Sequence, residues 1–146
     1  MKTKTYSAGT LNAASQALKA IGQVNIGISD GDPEFMGQPN GSLSFTVFPD
    51  AESARTAYNM IINSAGNKQA EEGFPYPATS LGTDQASIMK IIITTMSAEN
   101  VLIAATFSDM PDYSGGYSAV KPAKYKYNEA IALAKSGLEH LRKVGR

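Results

Sequence analysis

Apolar and polar positions along the chain change period several times, and each change marks an element. From Thr10 the apolar residues Leu11, Ala14, Leu18 and Ile21 lie close to one helical stripe, which predicts a helix capped by Thr10 and ended by Gly22. Val24, Ile26 and Ile28 then alternate with Asn25 and Gly27, the period of two that places three β-branched residues on one face of a strand. Ser29-Asp30-Gly31-Asp32-Pro33 stops that strand and opens a loop or broad hairpin connection reaching Gly41. Leu43, Phe45 and Val47 alternate with Ser42, Ser44 and Thr46, the clearest half-buried strand in the protein.

Pro49-Asp50 closes this strand, and Asp50 is placed to cap a helix that starts at Ala51. Its predicted buried stripe is Ala54, Tyr58, Ile61, Ile62 and Ala65, with Gly66 as the stop. No period holds from Asn67 to Gln85, and Gly73-Phe74-Pro75-Tyr76-Pro77 reads as an irregular loop. Ser87–Thr95 and Asn100–Phe107 are two apolar strands joined through Met96-Ser97-Ala98-Glu99, an antiparallel hairpin whose apolar runs make it central. A last helix from about Lys124 to Val144 carries Tyr127, Ile131, Ala134, Leu138, Leu141 and Val144 at steps of three and four, with Leu133 widening the stripe. The expected fold is a single α+β domain over residues 1–146, in the order α-β-β-α-β-β-α. Its four-stranded antiparallel sheet carries helices on one face and leaves the other to water or a partner.

Composition narrows the function classes. Thirteen basic and thirteen acidic residues cancel, and charged residues are only 18% of the chain, so no net field draws it to nucleic acid or anionic lipid. No cysteine is present, which removes thiol nucleophiles, disulfides and zinc–thiolate sites. The longest apolar runs, Ile91–Ile93 and Val101–Ala105, are far short of a membrane span. Residues 7–16 hold no apolar signal core; the chain is either cytoplasmic or one whose signal has been removed, and its low charge and small polar residues point to the second.

Candidate chemistry is sparse. His140, the one histidine, lies beside the C-terminus of the last helix, where the dipole favours its cation and no partner residue marks it as a base. Asp30, Asp32 and Glu34 alternate as in a calcium loop, yet position 41 is Gly where that loop supplies a bidentate glutamate, so the aspartates read as turn formers. Lys121, Lys124 and Lys126 interleave with Tyr125 and Tyr127 at a solvated helix start. Gly9, Gly22, Gly27 and Gly31 form no phosphate-cradling fingerprint, and no G-x-S-x-G occurs. Two loops remain as the ligand-binding candidates. One holds Asp109, Asp112, Tyr113 and Tyr117 between the last strand and the last helix, where tyrosines supply contact area and Gly115-Gly116 supply freedom to adapt. The other holds Phe74 and Tyr76, and the two would line one apolar-walled cleft if the strand order brings them together.

The segments SFTVFPDAESARTAY, TSLGTDQ, ENVLIAATF and KYNEAIALAKSGLEHL, spanning about residues 43–142, are similar to extracytoplasmic α+β domains of bacterial lipoproteins and to the sensor domains of certain membrane-bound serine/threonine kinases. That resemblance implies a non-enzymatic domain outside the cytoplasm that binds a small ligand or a protein. With Thr3 to Ala8 taken as an opening strand, the chain is also similar to ferredoxin-like domains of the dimeric α/β-barrel type, which implies a homodimer and, in some members, an enzyme. A third expectation is a structural subunit of an assembly. No cofactor is called for, and the partners expected are a small molecule, a protein or a second copy of the chain.

Overall fold

A computed structural model describes residues 3–8, 18–29, 41–83, 88–111, 115–120 and 122–144. Among these residues seven strands form one antiparallel sheet: β1 (Thr3–Ala8), β2 (Gly22–Ser29), β3 (Gly41–Val47), β4 (Lys68–Glu71), β5 (Ala78–Gly82), β6 (Lys90–Ala98) and β7 (Val101–Asp109), in the spatial order β1-β2-β3-β7-β6-β5-β4. Helix α1 (Ala51–Ser64) follows β3, and a 3₁₀ turn (Tyr117–Ala119) precedes helix α2 (Tyr127–Val144). The α+β class and the antiparallel sheet stand as expected; the strand number, the element order and the placing of the helices do not.

Helices cover both faces. Leu102 of β7 packs with Ala54, Ala57 and Tyr58 of α1, whereas Val101 and Ile103 pack with Ala134 and Leu138 of α2. Successive strand residues point to opposite faces, so α1 and α2 lie on opposite sides of the sheet. The reason is topological: β3 and β4 are separated by β7, β6 and β5, and α1 carries the chain across β7 and β6 between them. The continuous apolar run of β7 answers to this double covering.

Strand β3 keeps the expected alternation from Ser42 to Phe45, with Leu43 and Phe45 buried beneath α2, and departs from it at its end, where Thr46 is buried beside Leu102 and Val47 is half-buried. Asp50 caps α1 as expected, accepting the Ser53 amide on its side chain at 2.7 Å. That bond holds the Asp50 carboxyl below its ordinary range. A depressed folded-state pKa contributes stability that is present above about 3.8 and is lost as the pH falls through the lower folded value. Asp50→Ala is therefore expected to lower the thermal midpoint at neutral pH and to converge on the parent in acid, a comparison that scanning calorimetry at pH 7 and pH 2 makes directly. Convergence at neutral pH would remove Asp50 from the cap.

Several boundaries move. The predicted first helix falls on residues 10–17, outside the described ones, but its end is corrected: Lys19 sits at φ 59, and Gly22 opens a strand instead of stopping a helix. Ile21, expected on the buried stripe, is 70% exposed. In α1 the buried residues are Ala54, Ala57 and Tyr58, Ile61 is exposed, and the helix ends at Ser64, before Ala65 and Gly66. The aperiodic stretch after Asn67 contains β4 and β5. The hairpin turn is Glu99-Asn100, with Ala98 opposite Val101 and Glu99 at φ 54, so Met96 and Ser97 belong to β6. Strands β1 and β2 pair side by side and antiparallel, unlike the parallel strands that the β-α-β crossover of a ferredoxin-like unit joins.

Candidate functional site

Phe74 and Asp109, one from each expected loop, stand at opposite ends of the β6–β7 hairpin. Phe74 and Tyr76 lie between β4 and β5, half-buried against the cluster that includes Ala78, Met96, Ala98 and Leu138, and the Lys135 ammonium stands 5.8 Å from the Phe74 ring. Pro77 accepts the Ser97 amide at 3.1 Å, which ties this turn to the Glu99 end of the β6–β7 hairpin. Asp109 closes β7 at its other end, about 27 Å away at the usual rise per residue. There its Oδ2 accepts the backbone N–H of Lys124 at 2.8 Å, so the carboxylate anchors the start of the last segment to the sheet. Tyr117 opens the 3₁₀ turn. Asp112 and Tyr113 lie outside the described residues, as do Asp30, Asp32, Glu34 and Lys121.

The densest polar arrangement gathers where α2 begins. Tyr127 donates its phenol proton to Glu71 Oε1, and Gln69 Nε2 donates to the same phenol oxygen at 3.0 Å. Ser80 also bonds this phenol and pairs with Thr94 at 2.9 Å. The register explains the grouping: Gln69, Ser80 and Thr94 are cross-strand neighbours on β4, β5 and β6, and α2 starts above that row. Tyr125 is tied in parallel, donating to the Thr83 carbonyl, with the Lys90 ammonium 5.5 Å from its ring. Both phenols are thus spoken for within the fold and serve to fasten α2 to the β4–β5 hairpin.

Burial pushes the Tyr127 phenol up to about 12, and the bond to Glu71 and its negative charge act in the same direction, outweighing the opposing bonds from Ser80 and Gln69. A folded pKa raised above the ordinary 10 contributes stability that is complete below pH 10 and is lost as the pH climbs through about 12. In a spectrophotometric titration of the tyrosinates, one phenol is expected to ionise about two pH units late. Tyr127→Phe should remove that late step; a late step that persists would assign it elsewhere.

His140 is exposed, its ring 6.3 Å from that of Phe45. Among the described residues no three His, Asp or Glu side chains gather in a way that would hold a metal ion.

The two faces of the sheet differ in chemistry. Beneath α2 the inner strands present Leu43, Phe45, Ile103 and Met96. On the α1 face the register aligns Asn25 with Ser44 and Ala104, and Ser42 with Thr106. Thr46 lies beside Leu102 on this face, buried to 5% exposure, while Ser42, Ser44 and Thr106 are half-buried. Sequence reading recorded Ser42, Ser44 and Thr46 only as the polar half of an alternation. The signal was there in the residue types, since all three are hydroxylated.

No protein-family model matches the chain, and no curated protein matches it in sequence. Its fold is similar to that of the extracellular domain of the kinase PknH from Mycobacterium tuberculosis, with a TM-score of 0.53 and 11% identity over 98% of this chain and 83% of that one. At that identity the likeness is one of fold.

Proposed function

We propose that this protein is a non-enzymatic binding domain that works outside the cytoplasm. The observation that carries the reading is the likeness of fold, along nearly the whole chain, to a domain described as extracellular. Two features agree with it. Several of the polar side chains brought forward above hold the fold: Asp109 on the Lys124 amide, Glu71 on Tyr127, Tyr58 on Thr79. No helix among the described residues is long and apolar enough to cross a membrane.

Within this reading, Asp109 and Tyr117, with Asp112 and Tyr113 between them, form the recognition loop at one end of β7, and Phe74 with Tyr76 forms a separate aromatic surface at the other. Native mass spectrometry of the protein purified from its own source tests the function. A non-covalent small-molecule adduct, or a defined complex with another protein, is the expected result, and a clean monomer mass from every preparation would overturn it. Fractionation of the source cells tests the compartment. The protein should be found outside the cytoplasmic fraction, and recovery in that fraction alone would reject the extracytoplasmic assignment.

A further inference from the structure

We infer that the outer edge of β4 pairs with the same edge of a second copy of this chain, antiparallel across a two-fold axis at Ala70. This goes beyond the ligand reading above and does not rest on it. Strand β4 is the last in the sheet order, and among the described residues it pairs with β5 alone. Lys68, Gln69 and Ala70 are exposed. Residues 41–83 are described without a break, so the chain's entry to β4 at Asn67 and its exit at Glu72 are both fixed. Past β5 the Thr83 amide bonds the Ile91 carbonyl, which carries the chain to the β6 side and away from this edge.

The phase of the ladder decides which backbone groups face outward. Gly82 N donates to the Asn67 carbonyl at 2.9 Å. Antiparallel ladders alternate bonded and unbonded pairs, so Gln69 with Ser80 and Glu71 with Ala78 are the bonded ones. Lys68 and Ala70 therefore turn their N–H and C=O groups away from β5, and an edge of this kind is a template for another strand. The side chains of Gln69 and Glu71 are drawn to Tyr127 on the α2 side, above the strand and not beyond it.

Charge selects the occupant and the register. With Ala70 opposite its own copy, Lys68 stands opposite Glu72 of the second copy and Gln69 opposite its Glu71, and the Lys68–Glu72 pairing occurs twice by symmetry. A slip of two residues breaks this. In one direction Lys68 meets Ala70 and the ion pairs are lost; in the other Glu71 meets Glu71 and like charges oppose. An apolar side chain adjoins the edge as well. Ile61 lies one turn beyond Tyr58, whose phenol bonds Thr79 of β5, and beside Ile62, whose carbonyl accepts the Lys68 ammonium at 3.1 Å. Although it falls seven residues after the buried Ala54, on the inward stripe of α1, it is exposed. A contact built on one short strand is smaller than a stable interface needs, so the dimer is weak, concentration-dependent and sensitive to salt.

Sedimentation equilibrium of the full chain over rising concentration, at low and at physiological salt, tests this. A reversible monomer–dimer equilibrium that weakens with salt is expected. Ala70→Pro removes no bond within the sheet, because that N–H faces outward, and should weaken association at least about tenfold with the thermal midpoint unchanged. Lys68→Glu should weaken it too, and the charge swap Lys68→Glu, Glu72→Lys should restore it. A monomer at every concentration, a dimer that survives in folded Ala70→Pro, or a swap that restores nothing would overturn the inference. Should the proline variant fail to fold, the charge reversal and its swap decide alone. A monomer that still carries a ligand or another protein rejects the pairing edge and leaves the binding function standing; a dimer with no adduct does the reverse.

Discussion

Phe48→Ala is expected to destabilise the protein by about 3–5 kcal/mol, the usual range for removing a fully buried phenylalanine. The ring is wholly inaccessible and packs with Ala54, Ala57, Tyr58 and Leu102, while Leu18 and Ala20 lean on the same cluster. Its backbone is fixed on both sides, because Phe48 N donates to the Asn100 carbonyl at 2.8 Å and Asn100 Nδ2 donates to the Phe48 carbonyl at 3.1 Å. The residues around it are therefore poorly able to collapse into the space left behind, and the cavity term should be near its maximum. A domain of this size has a total stability of about 5–15 kcal/mol, so the variant should unfold at a much lower urea concentration with the slope of the transition unchanged. A loss below about 1 kcal/mol would place the ring outside the core that joins α1 to the sheet.

Gly41→Ala is the second large effect. A Cβ built on Gly41 would stand 2.6 Å from Cε1 of Phe107 and 3.0 Å from two further ring atoms. Gly41 and Phe107 are register partners on β3 and β7, and the ring is held on its other sides by Ile92 and Ala130. Because the clash is with a buried aromatic ring and not with the free end of a long side chain, the strand or the ring must shift. Overpacking of this kind costs about 1–3 kcal/mol. Reducing the ring in the double variant Gly41→Ala, Phe107→Leu should recover part of that loss, with a coupling energy of about 0.5–3 kcal/mol in a double-mutant cycle. Strictly additive effects would mean that the methyl group and the ring never meet.

A second close approach falls where α2 crosses the sheet. The Cβ of an alanine at Gly137 would lie 3.0 Å and 3.2 Å from the two terminal methyl carbons of Leu43. These are ends of a flexible side chain, so the outcome there is smaller than at Gly41. The contrast between the two positions is one of neighbour stiffness, not of distance alone.

The parts of the fold legible in advance were those where a local pattern and its burial coincide. Leu43 and Phe45 alternate with hydroxyl residues because one face of β3 meets α2, and Asp50 announces α1 because a carboxylate can take the free amides of a first turn. Ala134 and Leu138 fall on one helical stripe and are buried as that stripe requires. The two strands missed between Asn67 and Gln85 fail this condition for different reasons. Strand β4, Lys68–Glu71, is an exposed edge and needs no apolar residue on either face. Strand β5 has Ala78, Thr79, Ser80 and Leu81 buried on both faces, with its hydroxyls satisfied by Tyr58 at 2.6 Å and by Thr94. A buried Ser or Thr reads as polar in the sequence, and only its partner from another element makes it a core residue.

The candidate site shows the same division. Asp109 was singled out from its loop, but its role in anchoring Lys124 depends on where the last segment returns to the sheet. Glu71 and Tyr127 are 56 residues apart, and nothing local to either predicts that one accepts the proton of the other.

By itself the sequence determined the class of the fold, the central hairpin, the alternation of β3 from Ser42 to Phe45, the cap of α1 and the closing helix. Each of these follows from periodicity or capping within about twenty residues, where the physics is that of a single element against water. Only the tertiary structure decided that seven strands of the described residues form the sheet, that a helix lies on each face, that Phe74 and Asp109 stand at opposite ends of the β6–β7 hairpin, and that hydroxyls of β3 and β7 share one surface. Those facts depend on strand order and register, which arise from packing between residues far apart in the chain and leave no period in any one stretch of it.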